Sequence, residues 1–149
     1  MLENIELVLA KENDFIFGYA LYKLIQKEYF ENLNREWDEN NFQEDYKQRL
    51  NNIENNYLIK YSGINICWLE YNEEENLINI RQLNIYPEYQ RKGIGSKIVN
   101  NIIKNGKEKN KIICLSVLIN NKIANDFFIK LGFEIFDTTC YYNIYEYYI

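Results

Sequence analysis

The segment Tyr86-Pro87-Glu88-Tyr89-Gln90-Arg91-Lys92-Gly93-Ile94-Gly95-Ser96 sets two glycines and two cations between an apolar strand pattern and an amphipathic helix pattern. The chemistry this spacing suits is the capture of an anion. A helix N-terminus carries unpaired N–H groups and the positive end of the helix dipole, and both favour a phosphate. Glycine lets a ligand come close to the backbone and permits left-handed φ. Two common phosphate loops are excluded. A dinucleotide fingerprint would need glycine at Ile98, and no Gly-x-x-x-x-Gly-Lys-Ser/Thr occurs in the chain. What remains is Gln-Arg-x-Gly-x-Gly, Gln90 to Gly95, for which the competing reading is a plain strand-to-helix turn that needs glycine for its shape.

The residues that are missing narrow the chemistry further. The chain has no histidine, which removes the commonest general base and the commonest metal ligand. Ser-His-Asp and Cys-His nucleophile systems and histidine-containing zinc sites are excluded, and no metal site is expected. Cys67, Cys114 and Cys140 are widely separated, with Cys67 and Cys114 inside apolar runs, so reduced buried thiols are expected for those two. At 149 residues, 47% hydrophobic and 16% aromatic, the chain is expected to form a single domain over 1–149. Its net charge of −5 argues against a nucleic-acid partner and suits a cationic substrate such as an amine. Met1-Leu2-Glu3-Asn4 does not resemble a secretory leader, and no apolar run approaches the roughly 20 residues that span a bilayer. No membrane partner and a cytoplasmic location are therefore expected.

The elements that must position the glycine loop follow from periodicity. Ile5 to Leu9 reads as a first strand. A helix is expected from about Asp14 to Phe30, with Ile16, Ala20, Leu24 and Leu21, Ile25 at helical spacing, and a second from about Asn41 to Asn52 with Phe42, Tyr46, Leu50 and Ile53 on one face. Tyr57–Tyr61 and Ile64–Tyr71 read as a hairpin turning at Ser62-Gly63, followed by a third meander strand over Leu77–Ile85. The helix after the glycines carries Ile94, Ile98, Val99, Ile102 and Ile103 on one face and is expected to end near Gly106. Lys111–Leu118 is read as a buried strand in parallel pairing. Asn121–Leu131 is expected as a helix with Ala124, Phe127, Phe128 and Leu131 inward, Gly132 as its stop, and two final strands over Phe133–Asp137 and Tyr141–Ile149.

The order β-α-α-β-β-β-α-β-α-β-β, the Gln90–Gly95 loop and the segment Asn121-Lys122-Ile123-Ala124-Asn125-Asp126-Phe127-Phe128-Ile129-Lys130-Leu131-Gly132-Phe133 together resemble the GNAT (GCN5-related) N-acetyltransferase family. The second segment is similar to that family's Asn-x-x-Ala-x-x-hydrophobic-Tyr-x-x-x-Gly-Phe. The resemblance covers about Ile5 to the C-terminus and is strongest from Leu77 to Phe133. It implies an α/β (α+β) fold with a central, mixed, mostly antiparallel sheet of about seven strands and four helices.

It also implies acetyl transfer from acetyl-CoA to a primary amine by direct attack, on a small-molecule or peptide acceptor that the sequence does not name. The backbone of Gln90, Arg91, Lys92, Gly93, Ile94, Gly95 and Ser96 would hold the pyrophosphate. Leu83 and Ile85 would pair with the pantetheine arm, and Asn121 would reach its side. Phe128 stands where many family members carry a tyrosine that protonates the leaving thiolate, which motivates the alternative of a weak or inactive CoA-binding module. With no histidine, the base is a carboxylate, a tyrosine or a water-mediated group. Glu70 and Asp38 or Glu39 beside Trp37 are the carboxylate candidates, although a solvated surface position is the ordinary expectation for each. Tyr142 and Tyr145 are candidates to donate to the thiolate or line the acceptor site, against a plain role as strand aromatics. The aromatic C-terminal strand makes a homodimer possible.

Overall fold

A computed structural model describes residues 4–49 and 55–149. The chain runs β1 (Ile5–Leu9), α1 (Phe15–Asn32), α2 (Glu39–Arg49), β2 (Asn56–Tyr61), β3 (Ile64–Glu73), β4 (Leu77–Ile85), α3 (Ile94–Lys109), β5 (Ile112–Leu118), α4 (Lys122–Lys130), β6 (Glu134–Thr138) and β7 (Tyr142–Tyr147). The strand order is β1-β2-β3-β4-β5-β7-β6. β4 and β5 pair parallel, while β1–β2, β2–β3, β5–β7 and β6–β7 pair antiparallel. This is the mixed, mostly antiparallel sheet with four helices expected from the sequence.

The chain divides into two compact units, Met1–Glu70 with Gln82–Lys92, and Tyr71–Arg81 with Gly93–Ile149. In the first unit, β2 and β3 join through Ser62 (φ 49°) and Gly63 (φ 82°), and two left-handed central residues match the twist of a tight hairpin. The core gathers Tyr19, Leu21, Tyr46, Leu58 and Trp68, with Trp37 and Phe42 packed against it. Trp68 is fully buried, and its Nε1–H donates to Asn56 Oδ1 at 3.2 Å. Its ring lies so close to α1 that a Cβ on Gly18 would meet it at 2.7 Å, which explains the glycine inside that helix.

Two expectations change in this unit. The Ile16/Ala20/Leu24 stripe of α1 faces outward, Ile16 at 67% exposure and Leu24 at 56%. The buried face instead carries Gly18, Tyr19, Leu21 and Phe30, because aromatic contacts with Trp37 and Tyr46 outweigh a run of aliphatics. α2 begins earlier than expected, at Glu39, because Asp38 accepts from the Asn41 backbone N–H at 3.1 Å and fixes its start. Leu50 and Ile53, expected on its inner face, lie outside the described residues. On β4 the buried residues are the even ones: Ile78, Ile80, Gln82 and Asn84.

In the second unit, Ile94, Ile98, Val99, Ile102 and Ile103 are all buried, as their spacing predicts. The helix does not stop at Gly106. It runs three residues further to Lys109 and ends where Asn110 adopts φ 56°. β5 is not buried throughout: Ile112 and Ser116 are exposed and Cys114 is half-buried, the alternation of a strand covered on one face. α4 points Asn125 and Phe128 inward, while Ala124, Phe127 and Leu131 are only half-buried.

Candidate active site

Glu70 lies on β3, and the structure overturns its expected surface position: it is 3% exposed. Such a carboxylate persists only with hydrogen-bond partners. Gln82 of β4 supplies one, its Nε2 donating to Glu70 Oε1 at 3.0 Å. Gln82 Oε1 accepts from Asn84 Nδ2 at 3.2 Å, and Asn84 Oδ1 accepts from Gln26 Nε2 of α1 at 3.3 Å. Gln82, Asn84 and Gln26 were not singled out from the sequence. The signal for the first two was present, since Ile78-x-Ile80-x-Gln82-x-Asn84 continues one strand face with amides where aliphatics would be expected.

The other carboxylate candidates have structural partners. Asp38 caps α2 through Oδ1, and its Oδ2 accepts from Asn41 Nδ2 at 2.7 Å. Glu39 accepts from Trp37 Nε1 at 3.0 Å and pairs with Lys23 at 3.0 Å, and the Lys23 bond holds its carboxyl pKa below the usual carboxylate range. Trp37 stacks at 4.5 Å on Phe42. It belongs to the helix connection.

β4 leads to the glycine loop. The β4–β5 ladder runs from Leu77↔Ile112 to Ile80↔Leu115, so Leu83 and Ile85 lie past its last pair. The Ile85 carbonyl accepts from Gln90 Nε2 at 2.9 Å, which ties the loop back to the strand end. Pro87 starts a single 3-10 turn closed by Tyr89 N–H to Tyr86 O at 2.8 Å. Arg91 then takes φ 60°, a left-handed conformation uncommon outside glycine. Lys92 Nζ sits 5.8 Å from the Tyr89 ring centroid. Gly93 follows at φ 82° as the residue preceding α3. A Cβ there would meet nothing within 4 Å, so backbone conformation rather than space requires the glycine. The first intrahelical bond of α3 is Lys97 N–H to Gly93 O at 3.1 Å, which leaves the N–H groups of Ile94, Gly95 and Ser96 ahead of the helix ladder. Ile94 and Gly95 are buried.

In the second unit Asn121 caps α4, its Oδ1 accepting from Ala124 N–H at 3.1 Å. Asn125, also not foreseen, is a hub. Its Nδ2 donates to Leu118 O at 3.0 Å and to Asn121 O at 2.8 Å, and its Oδ1 accepts from Tyr145 Oη at 2.6 Å and Asn143 Nδ2 at 2.9 Å. Tyr145 is fully buried, and burial raises its phenol above the ordinary range. Its hydroxyl hydrogen goes to Asn125. Phe128 packs edge-on against Phe127 at 4.9 Å and Phe133 at 5.4 Å. Tyr142 is half-buried opposite Leu118 at the strand end. Among the described residues, no group of three or more Cys, Asp or Glu is placed to hold a metal ion, and no helix is long and apolar enough to cross a membrane.

This arrangement has counterparts in known proteins. Residues 10–133 match the acetyltransferase (GNAT) family. N-alpha-acetyltransferase 50 of Danio rerio is 35% identical over 80 residues, which cover 51% of this chain and 46% of that protein. The chain spans less than half the length of the curated relatives it matches, 46% and 30%. Among solved structures, the PaiA N-acetyltransferase of Thermoplasma acidophilum in complex with coenzyme A superposes with a TM-score of 0.80 at 22% identity, over 97% of this chain and 99% of that one. Arabidopsis thaliana Naa50 with the bisubstrate analogue CoA-Ac-MVNAL gives a TM-score of 0.73 at 20% identity, over 98% and 99% of the two chains. With the family match running from the end of β1 through the glycine loop to Phe133, this chain belongs to the acetyltransferase (GNAT) family.

Proposed function

We propose that the chain is an N-acetyltransferase that moves an acetyl group from acetyl-CoA to a primary amine, with Glu70 as the general base. The observation that carries this reading is the buried carboxylate of Glu70, hydrogen-bonded by the residue adjacent to Leu83. The amine nitrogen attacks the thioester carbonyl carbon. A C–N bond forms, the C–S bond breaks, and the surplus proton passes through one water to Glu70. The N–H groups of Ile94, Gly95 and Ser96 and the cations Arg91 and Lys92 hold the pyrophosphate, in keeping with the left-handed residues that shape their loop. Leu83 and Ile85 offer backbone groups past the β4–β5 ladder to the pantetheine, and a backbone N–H there polarises the thioester oxygen. The family resemblance assigns Asn121 and Phe128 to acetyl-CoA as well. The Tyr145 hydroxyl donates to Asn125, and Tyr142 is assigned to protonate the thiolate.

The acceptor is an amine on a small molecule or a peptide. The Danio rerio relative is named for N-alpha acetylation, and the Arabidopsis neighbour carries a peptide-bearing analogue, which supports a peptide N-terminus. We place the enzyme in the cytoplasm, acting as one domain, on the strength of its free cysteines and composition. The wholly exposed strand β6, with Ile135 and Phe136, supports a homodimer.

A second reading follows from Phe128, whose ring offers no proton and is committed to packing. The chain would then bind CoA without transferring acetyl. Thiol release with acetyl-CoA and a panel of amines and peptides separates the two. Turnover on any acceptor supports the enzyme, and acetyl-CoA binding by calorimetry with no turnover on all of them supports the binding module.

A further inference from the structure

The hydrogen-bond chain that ends on Glu70 has a fixed direction. An ionised carboxylate only accepts, so Gln82 must turn its NH2 toward Glu70 and its oxygen toward Asn84. Asn84 must then present its own NH2 to Gln82, which turns its oxygen toward Gln26. Each amide is oriented by the next, across 58 positions of sequence between Gln26 and Asn84. Glu70, Gln82 and Asn84 are all buried, so each unmade bond carries a desolvation cost. A scaffold carboxylate needs only a donor. A relay of three amides also fixes where the carboxylate points.

We propose that Gln82 is a positioning residue for Glu70, and that Asn84 and Gln26 hold Gln82 in the one amide orientation that serves it. The relay runs from α1 through β4 to β3 and aims the carboxylate at the acceptor amine. This inference rests on the reading of Glu70 as the base. Gln82 itself touches neither amine nor acetyl-CoA, so its effect must vanish when Glu70 no longer accepts a proton.

The test is a kinetic double-mutant cycle on the full chain, using the amine of the panel that turns over fastest. Gln82→Met keeps the volume and removes the donor. It is expected to lower kcat about tenfold, leave KM for acetyl-CoA within about twofold, and cause no further loss in a Glu70→Gln background. Asn84→Asp gives an independent arm, because an added carboxylate facing the Gln82 oxygen drives that amide to flip. It should reproduce the kcat loss even if Gln82→Met folds poorly. If Glu70→Gln lowers kcat but Gln82→Met and Asn84→Asp do not, the positioning role is overturned and the base stands. Losses that multiply in the double variant also overturn it, since they describe a structural residue acting independently. If Glu70→Gln itself leaves kcat unchanged, the base assignment fails and the relay fails with it.

Discussion

Each unit of the molecule buries a network of side-chain amides, and the two end differently. In the second unit Asn125 makes four bonds, two donated to Leu118 O and Asn121 O and two accepted from Tyr145 and Asn143. Every partner is neutral, and the amide's capacity is filled. In the first unit the relay from Gln26 through Asn84 and Gln82 ends on a carboxylate. A filled neutral hub fixes the start of α4 and the strand beside it. A relay that delivers donors to a buried acid keeps a proton-accepting group inside the protein, where burial alone would disfavour its charge. Similar materials therefore produce a structural joint in one place and a candidate catalytic group in the other.

The sharpest way to break this comparison is Glu70→Gln, which keeps shape and hydrogen bonding but cannot accept a proton. It is expected to lower kcat by about 100-fold or more with little change in thermal midpoint. An unchanged kcat would place Glu70 with Asn125 among the structural groups. Gly95→Leu should weaken acetyl-CoA binding on the order of 30-fold, about 2 kcal/mol by calorimetry, because a side chain would enter the buried start of α3. Asn125→Leu tests the other network. It removes the acceptor of the Tyr145 hydroxyl and of the Asn143 amide N–H, while the Leu118 and Asn121 carbonyls keep their backbone donors, and it should cost about 2 kcal/mol in urea unfolding while the folded protein keeps its kcat. Tyr145→Phe removes one of those bonds and should cost about 1 kcal/mol, with turnover retained.

The smallest effect belongs to a surface cluster in the second unit. Hydrogen bonds from Lys109 and then Lys111 pull the Glu73 carboxyl down to about 2. A depressed carboxylate stabilises the fold above its unfolded value, roughly 4.3, and that contribution disappears as pH falls toward 2. Its side chain is 29% exposed, so solvent screening keeps the contribution below about 1 kcal/mol. Glu73→Gln should therefore unfold at slightly lower urea than the parent at pH 7, with the gap narrowing between pH 5 and pH 3.

Much of the fold was legible because its signals are local. The Ser62-Gly63 hairpin, the stripe of α3 and the stop at Gly132 each depend on residues a few positions apart. The α1 stripe misled because Ile16, Ala20 and Leu24 have the correct period on the wrong face, and period alone cannot say which face meets Trp68. The α3 end misled because a glycine near a helix end suggested a stop, while Asn110 takes the left-handed position instead. Within the candidate site, the glycine loop was legible and the amide relay was not. An amide on a strand reads as polar surface until its partners are known.

By itself the sequence determined the identity and order of the elements and the loop from Gln90 to Ser96, because φ preferences and the periods of helix and strand are written in neighbouring residues. Only the tertiary structure decided that Glu70 is buried and held while Asp38 and Glu39 serve a helix start and a lysine. A charge stays inside a protein only if distant residues supply its hydrogen bonds. Those donors come from Gln82, twelve positions along the chain, with Asn84 and Gln26 arranged behind it.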